Sequence, residues 1–206
     1  MGEPLHTIMT ERLGCRWPII QTAMGWVAEP SLVIGSCNAG AFGFLGAAVM
    51  PEDWSARFSA IGRAYRFRIL NRRARPALDL GRVWHVQRRL DAAAMHDAAQ
   101  GLLGKHDFSA YRAASCQAKS PLRTLERLDV ARLGDEVVIT ASARSFLHHQ
   151  VRNMVGTLHD VGIGKRPVSW PRSVLDGRDR SRAGQTAPPD GLTLTGVRYA
   201  ETIPWG

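Results

Sequence analysis

The sequence predicts an α+β fold, with an antiparallel sheet and helices on one of its faces. Alternating apolar positions predict strands over Arg63–Ile69, Arg123–Ala131 and Glu136–Ala143. The short turn Leu133–Asp135 joins the last two of these strands as a hairpin, so they run antiparallel. Stretches with the period of a helix lie between the strands and after them, and these supply the helical layer.

Two stretches have this helical period. The first is Ala92–Leu103, with Asp91 as its N-cap and Gly104 as the residue that stops it. The second follows directly on the strand Glu136–Ala143, and its apolar positions recur three and four residues apart: Phe146, Val151, Met154, Val155 and Leu158. A strand that leads directly into a helix places their junction at a sheet edge, where a site can be built.

The remaining segments complete the order of elements. His106–Arg112 is predicted as a loop, Pro188–Gly191 as a turn and Leu192–Tyr199 as a last strand. From residue 63 onward the order is therefore β-α-β-β-α-β, which is the ferredoxin-like arrangement of one sheet covered by helices.

The opening of the chain predicts a different and incomplete unit. Pro18–Ala23 and Gly43–Gly46 have the pattern of short strands, and Pro30–Cys37 has that of a short helix. Together they predict an incomplete βαβ fragment with a Gly-rich turn, placed before the ferredoxin-like part.

The net charge of the chain changes sign at the boundary between this fragment and the ferredoxin-like part. Residues 1–53 carry two basic and five acidic side chains, whereas the remainder carries 25 basic and 13 acidic ones, a net charge of +12. An excess of this size, much of it Arg, indicates a polyanionic partner, most simply a nucleic acid. The alternative is a protein that is merely rich in Arg.

Cysteine use and hydropathy bear on the compartment. Cys15, Cys37 and Cys116 are odd in number and have no ligand spacing, which indicates a reducing compartment and no metal site. No signal peptide is expected, and the most apolar stretch, Ala39–Met50, is too short to cross a bilayer. The expectation is a cytoplasmic protein without a membrane partner.

Tyr65 is the aromatic residue that the pattern singles out for RNA. It lies in a strand with Arg66 and Arg68, and a basic loop with Arg72 and Arg73 follows. An aromatic ring beside an Arg-rich strand suits base stacking combined with phosphate contacts. The alternative is a core tyrosine with a satisfied hydroxyl group.

Arg152 is the second residue that the pattern singles out. It lies between apolar neighbours one turn into the predicted central helix. A buried guanidinium group is costly unless it meets an anion, which could be a carboxylate or a phosphate. The alternative is an Arg at the border of the apolar stripe with its head group in water.

Several segments, in order along the chain, carry a resemblance to a known family. They are Ala56–Ala60, Tyr65–Asn71, His106–Phe108, Cys116–Pro121, Arg144–Gly156, Arg178–Arg180 and Ala187–Leu192. In this order and with ordinary spacing they resemble the motifs of TruA-type tRNA pseudouridine synthases, from about Trp54 to about Tyr199. The resemblance covers only the C-terminal half or so of such an enzyme.

The resemblance implies the isomerisation of uridine to pseudouridine in the tRNA anticodon arm, without a metal or an organic cofactor. It implies that Tyr65 stacks on the target base and that Arg152 holds a catalytic carboxylate ionised and oriented. The candidates for apolar walls that exclude water are Phe146, Leu147 and Val151. The implied partner is tRNA, and the family commonly works as a homodimer.

Three further residues are predicted to face RNA. His148 and His149 lie at the strand–helix junction, and the family's reaction uses no His base, so we interpret them as positioning or RNA-facing residues. Lys119 lies in the segment Cys116–Pro121, which resembles a family motif, and we predict for that reason that it contacts RNA.

The family's catalytic Asp has no counterpart in this sequence. In the family it lies in a Gly-Arg-Thr-Asp-Ala-Gly type of motif in the N-terminal half, and no such run occurs here. Asp107, Asp160, Asp176 and Asp179 belong to other positions of the family pattern. We therefore expect a synthase by family that is inactive alone; the alternative is a basic RNA-binding module without catalysis.

The opening residues carry a second resemblance. Leu13–Gly25 and Asn38–Gly43 resemble the start of a nitronate monooxygenase, a flavin-dependent TIM barrel whose loops approach FMN, and this resemblance ends near Pro51. A barrel needs eight strand–helix units over roughly 250 residues, so flavin binding is not expected here. We predict a non-functional fragment over 1–53 and half of a synthase over 54–206, joined by fusion, rearrangement or an assembly artefact.

Overall fold

The structure is a computed structural model that describes residues 7–13, 16, 20–21, 37–38, 42–43 and 54–200. The chain divides into two compact units, with the boundary between Asp53 and Trp54. The functional assignment of these two units, as a fragment and half of an enzyme, stays a prediction.

Besides the helical residues 37–38, the described part of the first unit contains one helix and two short strands. They are α1 (Ile8–Leu13), β1 (Ile20–Gln21) and β2 (Phe42–Gly43). The two strands pair in parallel, which is the pairing that a βαβ opening requires. The helix predicted over Pro30–Cys37 lies outside the described residues except for Cys37.

The second unit is built on one sheet of six strands. These are β3 (Ala60–Leu70), β4 (Trp84–His85), β5 (Gly104–Asp107), β6 (Leu122–Leu133), β7 (Glu136–Ala143) and β8 (Leu192–Tyr199). The order across the sheet is β8, β3, β7, β6 and β5, and β4 pairs with the end of β3. The helices of this unit are α2 (Ala92–Gln100), α3 (Gln150–Gly162) and α4 (Trp170–Gly177). Among the helices that the structure describes, none is long and apolar enough to cross a membrane.

This architecture confirms the predicted α+β fold. The elements β3, α2, β6, β7, α3 and β8 follow one another as β-α-β-β-α-β, and the spatial order β8-β3-β7-β6 is ferredoxin-like. One detail of the prediction was wrong. The short pairing between β3 and β4 is parallel, so the sheet is mixed rather than wholly antiparallel.

The core lies between the sheet and its helices. In β7 every second residue is buried, namely Val137, Ile139, Ala141 and Ala143. In β3 the side chains of Phe67 and Ile69 are fully buried on the same face. Because side chains alternate along a strand, Arg66 and Arg68 of β3 lie on the other face of the sheet.

The helix predicted over Ala92–Leu103 is shorter than expected. α2 has Asp91 as its N-cap, as predicted, but it ends at Gln100 with Gly101 as its C-cap. Leu102 is fully buried, so the chain turns here to place that side chain in the core. Gly104 does have a positive φ of 97°, but it uses this conformation to begin β5.

The prediction of a loop over His106–Arg112 was also wrong. Its first residues belong to β5, an edge strand that pairs antiparallel with β6, and Ser109–Tyr111 forms a 3₁₀ turn. β5 is held through backbone pairing at the sheet edge, so its side chains need no apolar alternation. The sequence pattern therefore could not reveal it.

The central helix begins later than its apolar pattern suggests. α3 starts at Gln150, and its N-cap His149 has the left-handed φ of 61°. Phe146 therefore lies before the helix rather than in it. Phe146 and Leu147 instead lie in the loop between β7 and α3, where their side chains can reach the face of the sheet.

Candidate functional site

A cleft of about 1060 Å³ opens at the N-terminal end of α3, and it is called the site cleft here. Most of its lining comes from β3, residues 115–118, the loop 145–149 and the first turn of α3, and residues 57–58, Arg123 and Leu192 complete it. It brings together seven of the residues that the sequence predicts for binding: Tyr65, Phe146, Leu147, His148, His149, Val151 and Arg152.

Tyr65 presents its ring to the site cleft from β3. The ring of Phe146 meets it edge to face, with centroids 5.3 Å apart and an interplanar angle of 83°. The register between β3 and β8 shifts between Ala64 and Tyr65, and such irregularities commonly re-aim a side chain next to a site. The edge contact with Phe146 holds the tyrosine ring while it remains only partly buried.

The apolar wall of the site cleft is rigidly supported. Leu147 and Val151 are 3% and 5% exposed, respectively. The Gln150 side chain is buried behind them, and its Oε1 accepts a hydrogen bond of 2.9 Å from the Leu147 N–H. This bond fixes the turn that carries the wall residues.

Arg152 is held by neutral partners. Its Nε donates to the carbonyl of Ala187 at 2.7 Å, and one terminal nitrogen lies 3.1 Å from Nε2 of His149. Within the described residues no carboxylate lies within ion-pair distance of this guanidinium. Its charge therefore remains available to an anion that enters the site cleft.

The segment that anchors Arg152 crosses α3 at close range. The Ala187 N–H donates back to the Arg152 carbonyl at 3.2 Å. At Gly156, an added Cβ would lie 1.7 Å from the carbonyl oxygen of Gln185, so this crossing requires a glycine. Arg180 braces the same segment through the Gly184 carbonyl at 2.8 Å.

Positive charge surrounds the two histidines of the site cleft. Burial, together with the charges of His148 and Arg152, lowers the pKa of His149 below its usual value. The two imidazole rings lie 4.0 Å apart, and Nδ1 of His148 is 3.2 Å from the hydroxyl of Ser115. A neutral His149 can therefore take up a proton when an anion binds nearby.

Cys116 lines the site cleft below His148. Burial opposes ionisation of its thiol, but hydrogen bonds from the Ala118 and His148 N–H groups and the charges of Arg112 and Arg123 outweigh it and lower the pKa of Cys116. The sulfur accepts the His148 N–H at 3.4 Å. The role of Cys116 visible in the structure is to fix the loop that carries both histidines.

The structure places the other predicted RNA-binding residues outside the site cleft. Arg66 is exposed on the opposite face of the sheet. On that face, Nε of Arg68 donates to Glu136 at 2.9 Å and a terminal nitrogen to Asp79 at 3.2 Å. The hydrogen bonds to Glu136 raise the pKa of the Arg68 guanidinium above its usual value, although burial opposes this.

The remaining basic residues of the prediction are exposed. Arg72 pairs with Asp135 at 3.3 Å, and Arg73 follows it in the same loop. Lys119 is exposed immediately after Ala118, a residue of the site-cleft lining. The assignment of all these residues to RNA binding stays a prediction.

Sequence reasoning missed three arginines of the site cleft, which are Arg57, Arg63 and Arg123. Arg63 braces the cleft wall by donating to the Arg144 carbonyl at 2.6 Å. Strand alternation could have found it, because it places Arg63 on the same face as Tyr65. Arg123 has no such signal, since only the tertiary fold brings β6 to the cleft.

No metal centre is apparent in the described part of the chain. There, no group of three or more His, Cys, Asp or Glu side chains has an arrangement that could hold a metal ion. The site cleft is instead rich in hydrogen-bond donors. The described residues that line it include Arg57, Arg63, Arg123 and Arg152 but no Asp or Glu.

Comparison with known proteins identifies the family of the chain. The sequence model of tRNA pseudouridine synthase matches residues 98–200, half of the chain. The chain belongs to the tRNA pseudouridine synthase family. This confirms the resemblance that the sequence motifs predict for the C-terminal part.

Several curated members of the tRNA pseudouridine synthase family are close relatives. A tRNA pseudouridine synthase A of Acidiphilium cryptum is 69% identical over 146 residues, which are 71% of this chain and 57% of the relative. That of Methylobacterium nodulans is 64% identical over 157 residues, 76% of this chain and 62% of the relative. The chain thus spans about three fifths of the length of these relatives.

The second predicted resemblance is confirmed as well. The sequence model of nitronate monooxygenase matches residues 6–60. This match overlaps the first residue of β3, whereas the predicted resemblance ends near Pro51. The larger part of that match falls outside the described residues.

Proposed function

We propose that this chain binds tRNA in the site cleft and presents a uridine to the chemistry of a pseudouridine synthase. Tyr65 stacks on the base, while Phe146, Leu147 and Val151 exclude water from it. Arg152 supplies the positive charge that holds an anion. The cytoplasm is the expected compartment for this activity.

One observation carries the proposal. The site cleft joins an aromatic ring, an apolar wall and a guanidinium group in one space of about 1060 Å³, without a lining carboxylate among the described residues. An aromatic face with neighbouring positive charge suits an unstacked base and its phosphates. The relatives named tRNA pseudouridine synthase A support tRNA as the source of that base.

We further propose that the chain does not isomerise uridine alone. Isomerisation breaks the bond from the sugar C1′ to N1 and forms one from C1′ to C5, and the family uses an Asp carboxylate for this. The motif that carries the Asp does not occur in the sequence. A carboxylate from another polypeptide segment would pair with Arg152 and complete the site.

The test combines chemistry with binding. The purified chain is incubated with tRNA carrying tritium at uridine C5, because formation of the new C–C bond releases that tritium. We expect no release above background, together with tRNA binding that weakens as salt rises. Release by the chain alone would contradict the proposed need for a second segment, and each Asp→Asn variant would then be assayed.

Three variants test the assignment of residues. Arg152→Ala and Tyr65→Ala should weaken tRNA binding more than His148→Ala, because His148 is exposed at the rim. The control is the urea midpoint of each variant, which separates a folding defect from a binding defect. Equal losses of binding from all three variants would contradict the assignment of the site.

A non-catalytic RNA-binding module is the second candidate. The absence of a carboxylate among the described lining residues favours it. Adding the separately expressed N-terminal half of a relative distinguishes the two. Tritium release in the mixture supports the half-enzyme, whereas unchanged binding without release supports the module. A colourless purified protein is expected in either case, because flavin binding is not part of the proposal.

A further inference from the structure

A second basic cleft lies at the opposite end of α3. Its volume is about 810 Å³, and it is called the distal cleft here. Its lining includes Val161–Gly164, which comprises the end of α3 and the two residues after it, whereas the site cleft lies at the first turn of α3. At a rise of 1.5 Å per residue, the length of α3 separates the two by about 18 Å.

Three arginines line the distal cleft, and they are Arg89, Arg132 and Arg166. In the part of the chain that the structure describes, none of them forms an ion pair with a carboxylate. The lining includes one described carboxylate, Asp91, whose Oδ1 accepts the Ala94 N–H at 3.0 Å as the cap of α2. The distal cleft therefore carries an excess of positive charge.

Two of these guanidinium groups are held in place without being neutralised. Arg132 donates to Oδ1 of Asn71 and to the carbonyl of Leu90, both at 2.7 Å. Arg166 lies over the ring of Trp170, 4.9 Å from its centroid. Both contacts restrict the side chain but leave its charge intact, so little further ordering is needed when an anion binds.

We propose that the distal cleft is a second phosphate-binding surface, which grips the backbone of a double-helical arm of the tRNA held in the site cleft. This inference rests on the proposed function. Guanidinium forks match phosphate oxygens, and in duplex DNA one charge occurs roughly every 1.7 Å of axis. A short duplex arm therefore presents phosphates across the distance of about 18 Å along α3.

The test uses a double variant at exposed positions, Arg89→Gln with Arg166→Gln. Arg132 is left unchanged because its hydrogen bonds to Asn71 and Leu90 support the fold. Whole tRNA is titrated at several salt concentrations. We expect a loss of affinity of roughly tenfold and a log–log salt slope that is shallower by about 1.5, because each phosphate contact contributes about 0.7 to 0.9.

A matched double variant controls for the loss of two positive charges. Arg127→Gln with Arg172→Gln removes two exposed arginines that pair with Asp129 and Asp176. It should change both affinity and slope much less. If the two double variants weaken binding equally, the effect is one of net charge, and the distal cleft is not a separate surface.

A short RNA separates this inference from the proposed function. A single-stranded RNA with the anticodon-loop sequence and no stem should bind the site cleft and respond to Arg152→Gln, but not to the distal-cleft variant. Equal loss for this single strand and for whole tRNA would overturn the inference. Unchanged tRNA binding by the distal-cleft variant would also overturn it. If that variant instead changes the oligomeric state of the protein, the surface is a protein contact and the inference is likewise wrong. If the wild-type chain binds neither RNA, the proposed function itself fails.

Discussion

On the face of the sheet away from the helices, Arg68 lies between two carboxylates, Glu136 and Asp79. On the helix side, Arg152 is held by the Ala187 carbonyl and by His149, with no described carboxylate in reach. Both side chains are fixed, but only the second keeps its charge uncompensated. The charge of Arg68 is therefore compensated by neighbouring carboxylates, whereas that of Arg152 has no such partner among the described residues.

The largest expected effect comes from Gly156→Ala, which attacks the backbone support of Arg152. The new Cβ would lie 1.7 Å from the Gln185 carbonyl oxygen, so the segment that carries Ala187 must move. We expect a loss of about 3 kcal/mol in the free energy of unfolding, measured by urea denaturation. Gly101→Ala is the control, because its nearest neighbouring atoms lie at 3.5 Å; a similar loss there would contradict the explanation.

The next largest effect is a difference in tRNA affinity between variants of Arg152 and Arg68. Arg152→Gln removes a charge that no described carboxylate neutralises, so tRNA affinity should fall roughly tenfold or more. Arg68→Gln should leave tRNA affinity nearly unchanged because Glu136 and Asp79 already satisfy Arg68. Filter binding at constant salt measures both. A larger loss from Arg68→Gln would reverse the roles assigned to the two residues.

The free energy of unfolding tests the contribution of the Arg68–Glu136 ion pair to the fold. Glu136→Gln removes the principal partner of Arg68, and both side chains are 24% exposed. We expect a decrease of about 1 kcal/mol in the free energy of unfolding, since this pair is partly shielded from solvent. The urea midpoint should shift while tRNA affinity stays constant. An unchanged midpoint would place Arg68 among arginines that are free to bind RNA.

The smallest effect is a change in the titration of His149. Burial is the largest cause of its lowered pKa, and the charges of His148 and Arg152 add to it. Removing one positive charge favours the protonated imidazole, so Arg152→Gln should raise the pKa of His149, as followed by NMR. For the same reason bound RNA should raise it, and tRNA affinity should increase as pH falls through the pKa of the free protein.

His159 is the internal control for that titration. Burial lowers its pKa against the opposing effect of Asp160, and it lies near the distal end of α3. Its pKa should not respond to Arg152→Gln. If both histidines shift together, the substitution has changed the fold rather than the local charge of the site cleft.

The sequence predicted the elements whose side chains face the core. β7 has the predicted bounds, because its strict alternation marks a half-buried strand. β8 has them as well, although most of its side chains are exposed. The sequence pattern did not predict β5, whose pairing is made by backbone groups, and it did not predict where α3 starts. There His149 adopts a left-handed conformation, which no periodicity records.

For the site, motif resemblance selected the residues that the structure gathers around Tyr65 and Arg152. The Arg-rich pattern of the strand also selected Arg66 and Arg68, which neighbour Tyr65 in sequence but lie across the sheet from it. Arg123 and the distal cleft were missed. Both depend on contacts between elements distant in the chain, and such contacts leave no local pattern.

The crossing of α3 by the segment before Ala187 also has a consequence for biosynthesis. Arg152 and its anchor are 35 residues apart, and a chain grows from its N-terminus at about 5 to 20 residues per second. A nascent chain that has exposed only α3 therefore lacks the carbonyl that holds Arg152. The held position of Arg152 therefore forms only after Ala187 has been synthesised and has left the ribosome.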